Sequence, residues 1–203
     1  MSETEDNKSL PKTMLDEFRR PFLSADTEFK VQTLGQGKSA LCVAYVDARH
    51  VQERLNAVCQ EFDAVWSNEY KNPVVVQDDI KAVEAIIRID REYKVEDNEG
   101  DYRGHQHFEH SDVGSLDNVN EKHHGLKALY SDAFKRAAVH FGIAVSLYGL
   151  PQMWLPKEDQ YLRIVNGKTA YMQRAGEELL REQLIKYLKE DSTIMKFGLP
   201  RSP

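Results

Sequence analysis

Sulfur is scarce in this sequence and long apolar runs are missing, and each shortage narrows what the chain can be. Of 203 residues only Cys42 and Cys59 are cysteines, and no CxxC pair occurs, so neither a disulfide framework nor a thiolate metal site is on offer. Both lie among apolar neighbours and read as buried thiols of a reducing cytosol. No stretch approaches the roughly twenty apolar residues that span a bilayer. The polar, acidic opening MSETEDNKS has no signal-peptide character, so a cytoplasmic, membrane-free protein is expected. Internal repeats and low-complexity tracts are also absent. Positive charge is in deficit: 27 Lys and Arg stand against 33 Asp and Glu, a net charge of -6. That argues against a surface that grips polyanions everywhere, but not against one groove in which cations are concentrated. The length suits one main domain with appendages.

What the sequence does have is a dominant helical pattern over residues 125–149. Leu126, Leu129, Tyr130, Ala133, Phe134, Ala137, Ala138, Phe141, Ala144, Val145 and Tyr148 recur at i, i+3, i+4, i+7, the signature of one broad buried face. Small residues at Ala133, Ala137 and Ala138 permit close approach of another element, and Gly149 with Pro151 predicts the stop. Lys127, Ser131, Lys135 and Arg136 fall on the other side as a basic stripe. Such a stripe is as often a plain solvated face as a binding surface.

Along the rest of the chain, residues 1–9 read as a disordered tail. A short helix after Pro11 carries Met14, Phe18 and Phe22 on one side and ends at Pro21. Residues 28–33 alternate weakly. After GQGKS, residues 40–46 make a convincing buried strand, and Asp47 N-caps a helix over 48–62 faced by Val51, Leu55, Val58, Cys59 and Phe62. Residues 64–70, 74–76 and 82–93 read as strands of an antiparallel meander, separated by Lys71-Asn72-Pro73 and Gln77-Asp78-Asp79. Residues 101–121, polar and rich in His, are either a functional loop or a strand end running into a mobile connection. Asn166-Gly167 predicts a hairpin with a two-residue turn, and residues 173–189 a charged helix with a leucine seam. That helix can pack on its own domain or contact another chain. The expected fold is α+β, an antiparallel β-meander covered by one long amphipathic helix, with residues 10–156 as the core and 157–203 as the appendage.

Three segments in order carry a family resemblance. They are Asp47-Ala48-Arg49-His50-Val51-Gln52-Glu53-Arg54-Leu55-Asn56, then His110-Ser111-Asp112-Val113-Gly114, then Ser131-Asp132-Ala133-Phe134-Lys135-Arg136-Ala137-Ala138-Val139-His140-Phe141-Gly142 with Leu147-Tyr148-Gly149-Leu150-Pro151. Together they resemble the Rad52 single-strand annealing family, in particular its bacterial and phage branch, which includes the DdrA DNA-damage-response proteins. The resemblance implies a β-β-β-α core that assembles as an oligomeric ring or arc and holds single-stranded DNA in a basic groove. It implies strand annealing in recombinational repair, protection of DNA ends, and partnership with a recombinase or single-strand-binding protein at the nucleoid. By position it implies DNA contacts at Lys135, Arg136 and Lys127, and at Arg49 or His50 on the earlier helix, with Arg54 counted beside them. Val139 stands where many members have a further arginine, and residues 106–124 are less basic than the usual connection.

Annealing makes and breaks no covalent bond, so the resemblance implies neither an enzyme nor a cofactor or metal. Aromatic contacts would support bases without reading them, with Tyr93, Tyr102 and Phe108 as candidates. Competing readings remain open at this stage. His105, His107, His110, His123 and His124 with Asp112 and Asp117 are the residue types of a divalent-metal nuclease. Glu84 and Asp90 share a strand face but lie roughly 20 Å apart, too far to hold one ion. An oligomeric scaffold, or a module binding double-stranded RNA, would use the same elements.

Overall fold

In a computed structural model, described here for residues 13–76, 79–97, 100–115, 124–167 and 169–190, the chain is α+β with antiparallel sheets. The disordered-tail reading of residues 1–9 lies outside the described residues. Helix α1 (Met14–Arg19) begins at a capping box in which Thr13 and Asp16 satisfy each other's amides. Strands β1 (Thr27–Thr33) and β2 (Ser39–Val46) form a hairpin, and helix α2 (Ala48–Glu61) follows with Asp47 accepting the Arg49 amide at 2.8 Å. A meander of long strands comes next: β3 (Ala64–Val76), β4 (Asp79–Asp97) and β5 (Gly100–Ser115), in the spatial order β3-β4-β5.

In this meander one expectation is corrected and one open alternative takes its strand form. Lys71-Asn72-Pro73 is no turn between strands: β3 runs through it with a register shift, and Asn72 at φ 51° takes the strain of the bulge. Pro73 is tolerated there because β3 is an edge strand and its missing N–H has no ladder to serve. The His-rich segment, as far as residue 115, is a strand paired with β4 along its whole length. Residues 116–123 lie outside the description.

Helix α3 (His124–Val139) crosses the meander and is shorter than its apolar pattern predicts. Gly142, at φ 94°, ends it: the Gly142 amide reaches the Val139 carbonyl at 2.8 Å and the Ile143 amide reaches Ala138 at 3.3 Å, a Schellman stop. The pattern persists beyond the stop because the chain folds back onto the same core, burying Phe141, Ile143 and Ala144 before a 3-10 turn at Val145–Gly149. Leu129, Ala133, Ala137 and Ala138 are fully buried against Val83, Ala85, Ile87 and Ile89 of β4. Gly114 of β5 lets α3 come this close, since a Cβ there would stand 2.6 Å from the Ala133 nitrogen.

Strand β6 (Met153–Pro156) adds to β2, giving the sheet order β1-β2-β6. A hairpin of β7 (Leu162–Val165) and β8 (Thr169–Met172) leads to helix α4 (Arg174–Glu190). Val165 pairs with Thr169, so the hairpin connection holds three residues and not the expected two, with Asn166 and Gly167 both at positive φ. The leucine seam of α4 packs on its own chain: Leu180 and Leu184 are buried with Phe29, Ala40, Cys42 and Leu155 in a second core. Both cysteines are free and buried, and burial pushes each thiol up to about 11, which leaves them unreactive at neutral pH.

Candidate nucleic-acid interface

Alternation along β2 sends Ala40 and Cys42 to the core shared with α4, and turns Leu41, Val43 and Tyr45 the other way. That second face meets the C-terminal half of α3 and the 3-10 turn across a cleft of 630 Å³, lined by Lys30, Tyr45, Lys135, Arg136 and Tyr148 among others. Lys30 reaches it from β1, paired in register with Val43. The Lys30 and Lys135 ammonium groups each sit 5.6 Å from the centre of the Tyr45 ring, and neither makes an ion pair with a described residue. Cation–π attraction of this kind positions a cation without neutralising it. The Tyr45 hydroxyl donates to Glu28 at 2.5 Å. Burial first, then that hydrogen bond, pushes its pKa up to about 12, so Tyr45 adds no negative charge to the cleft.

Arg136 is held differently. Its Nε lies 3.3 Å from one oxygen of Asp112 on β5, and His140 Nε2 lies 3.3 Å from the other. Burial works to raise the Asp112 pKa, but the Val113 amide at 2.6 Å, the Arg136 charge and the His140 bond outweigh it and hold the carboxyl below its usual value. Arg136 thus lines the cleft while tethered at its back.

The remaining candidates are dispersed. Lys127 is exposed on α3 about 12 Å along the axis from Lys135 and does not line the cleft. Arg49 is exposed at the start of α2, and His50 beside it is half-buried with an Nδ1 that has no hydrogen-bond partner. Neither lines the cleft. Arg54 is committed to the fold: its guanidinium donates to the carbonyls of Glu17 at 3.1 Å and Arg20 at 2.6 Å, and stacks on Phe22. It closes the C-terminus of α1 and leaves little of its donor fork for a ligand. Sequence reasoning missed Lys30, Tyr45 and Tyr148. Lys30 and Tyr45 lie on the face of the β1–β2 hairpin away from α4, and the alternation of β2 contained that signal for Tyr45 alone.

The histidines with described side chains do not assemble. Strand alternation puts His105 and His107 on the outer face of the meander, both against Asp90 at 3.4 and 2.7 Å, and His110 on the inner face, stacked on His140. Among the described residues no group of His, Cys, Asp or Glu is placed to hold a metal ion. His123 and Asp117 lie outside the description. Of the proposed stacking aromatics, Tyr93 lies across Gly104, Phe108 is exposed on the inner face, and the Tyr102 side chain is outside the described set. Among the described residues no helix is long and apolar enough to cross a membrane.

Comparison with known proteins bears on the chain as a whole. The single-stranded DNA-binding protein DdrA of Deinococcus deserti is 34% identical over 141 residues, covering 68% of this chain and 58% of that protein. The single-stranded DNA-binding protein DdrA of Deinococcus radiodurans is 35% identical over 123 residues, 59% of this chain and 47% of that one. The chain thus spans about half the length of the curated relatives it matches. Residues 11–165, which contain α1 through β7 and every residue named in the cleft, match the family described as Rad52/22 family double-strand break repair protein, and the chain belongs to that family.

Proposed function

We propose that this protein binds single-stranded DNA along the cleft between β2 and α3 and promotes annealing of complementary strands in recombinational repair. The observation that carries the reading is the pair of unneutralised cations, Lys30 and Lys135, converging on Tyr45 in a chain of net charge -6. Spare lysines held on a sheet and a helix are suited to successive phosphates, and release of the counterions on those phosphates drives binding. Arg136 adds a third contact when it swings from Asp112. Tyr148, 64% exposed at the rim, offers a ring on which a base rests without being read. Base edges left free can then test a second strand, a task that needs no nucleophile.

Helix α3 serves this as an amphipathic helix, with its small-residue face in the core and Lys135 and Arg136 in the cleft. Residues 10–156 form the binding unit in this reading, and the hairpin and α4 buttress β2 from behind. A short cleft binds long DNA by repetition, so copies assemble as a ring or arc in which each bound site raises the local concentration of strand at the next. The long edges of β3 and β5 and the exposed Val74, Val75 and Val76 support lateral pairing of copies. The partners of such an assembly are a recombinase or a single-strand-binding protein, at the nucleoid.

Fluorescence anisotropy of a labelled oligonucleotide, single-stranded and duplex, across a salt series tests the reading. Salt-sensitive preference for the single strand is expected, with binding and salt slope both reduced in Lys135→Ala/Arg136→Ala while sedimentation shows assembly unchanged. No binding at low salt, or loss of assembly in that variant, would contradict it.

A further inference from the structure

A second cleft, of 770 Å³, opens between α1 and the inner face of β4 and β5. Its walls are aromatic: Phe18, Phe62, Phe108 and Phe141 all line it, and Phe108 is 40% exposed. Its two charged side chains are both arginines. Arg19 from α1 and Arg91 from β4 line it together with His110 and His140, and no Asp or Glu does.

Both arginines are unspent. Neither makes an ion pair with a described residue, although the charge of Arg19 reaches Asp16 on its own helix. The Arg91 Nε is buried without a hydrogen-bond partner while the guanidinium lies over the Phe62 ring, 5.6 Å from its centre. A buried donor left open costs stability unless a ligand satisfies it. Arg54 and Arg88, by contrast, are each engaged, Arg54 by the carbonyls of Glu17 and Arg20 and Arg88 by the carboxylates of Glu69 and Glu109.

From this arrangement we infer that the second cleft docks an acidic segment of a partner protein, one carrying a bulky apolar side chain beside its carboxylates. The apolar floor takes the side chain, and the two arginines, one from each wall, take the carboxylates as charge-assisted hydrogen bonds. Single-stranded DNA fits less well, because the floor is phenylalanine and lacks the two lysines that line the first cleft. The two clefts share one bridge: Arg136 faces the first and His140 the second, both on Asp112. A docked segment therefore sits next to the bound strand, where a recruited protein would be useful.

Anisotropy of a fluorescein-labelled Asp-Glu-Phe-Asp-Glu-Phe peptide on the full chain tests this, with an Asn-Gln-Phe-Asn-Gln-Phe counterpart as control. The acidic probe should saturate and the neutral one should not. Arg91→Gln and Phe108→Ser should each weaken the acidic probe about tenfold, with Arg88→Gln on the opposite face unchanged and single-strand affinity unchanged in all three. Failure of the probe to saturate on the wild type, or equal weakening by Arg88→Gln, would overturn the inference. So would loss of oligonucleotide binding in Arg91→Gln, which would make the cleft a nucleic-acid track, or a concentration-dependent doubling of mass that Phe108→Ser abolishes, which would give the cleft to a second copy. Because the oligonucleotide is measured separately, failure here leaves the DNA reading of the first cleft standing.

Discussion

The cations on the outer face of the meander and those in the β2–α3 cleft are the same residue types in opposite circumstances. On the outer face Arg88 lies between Glu69 and Glu109, Lys71 reaches Glu69 at 3.0 Å, and His105 and His107 share Asp90. Hydrogen bonds from Arg88 and then Lys71 hold the Glu69 carboxyl below its usual value. In the cleft Lys30 and Lys135 face a tyrosine ring and, although Asp132 also lines the cleft, neither makes an ion pair with a described residue. A formal charge of -6 therefore says little about any one surface: on the outer face the cations are matched by carboxylates, and what decides binding is which cations remain unpaired.

The comparison is broken most directly by removing the unpaired set. Lys30→Ala/Lys135→Ala should lower single-strand affinity by about ten- to a hundredfold at low salt and flatten the log–log salt slope by about 1.4, as read by anisotropy. Asp112→Asn moves Arg136 from the paired class to the unpaired one. We expect single-strand affinity to rise about threefold and the salt slope to steepen by up to about 0.7, and no change in either would mean that Asp112 does not hold Arg136 back from the strand. Arg88→Gln, taken from the paired set, should leave the oligonucleotide titration unchanged within error.

The smallest effect concerns pH. Burial, then the nearby His140, depresses the His110 pKa below 6.5, so the unfolded chain takes up this proton more readily than the folded one. The stability this contributes is fully present above pH 6.5 and is lost as pH falls from there through the folded value. His110→Phe should therefore shrink the fall in urea midpoint between about pH 7 and pH 5, and an undiminished fall would assign that slope to other groups.

How much of this was legible beforehand depended on range. Local signals read well: the Asp47 cap, the alternation of β2 and the small-residue face of α3 all stand in the structure. The end of α3 was missed because Phe141 and Ala144 stay buried after the chain has turned, so the apolar spacing outlives the helix. Strand β5 was obscured because its outer face carries His105, His107 and Glu109 and its inner face borders an open cleft, which leaves no apolar alternation to see. Lys30 escaped notice for a different reason: its value comes from a ring and a helix far away in sequence, and no local pattern encodes that meeting. Arg54 shows the converse, a residue near the right motif whose guanidinium is consumed by α1.

Ultraviolet crosslinking of a 5-iodouracil-substituted single strand to the wild-type protein, with the adducts located by mass spectrometry, tests the central claim most directly. Adducts at Tyr45 or Tyr148 are the predicted result, because both rings line the cleft that holds Lys30 and Lys135. Adducts confined to Phe108 and Tyr93, or to the outer face of the meander, would put the strand elsewhere and contradict the account.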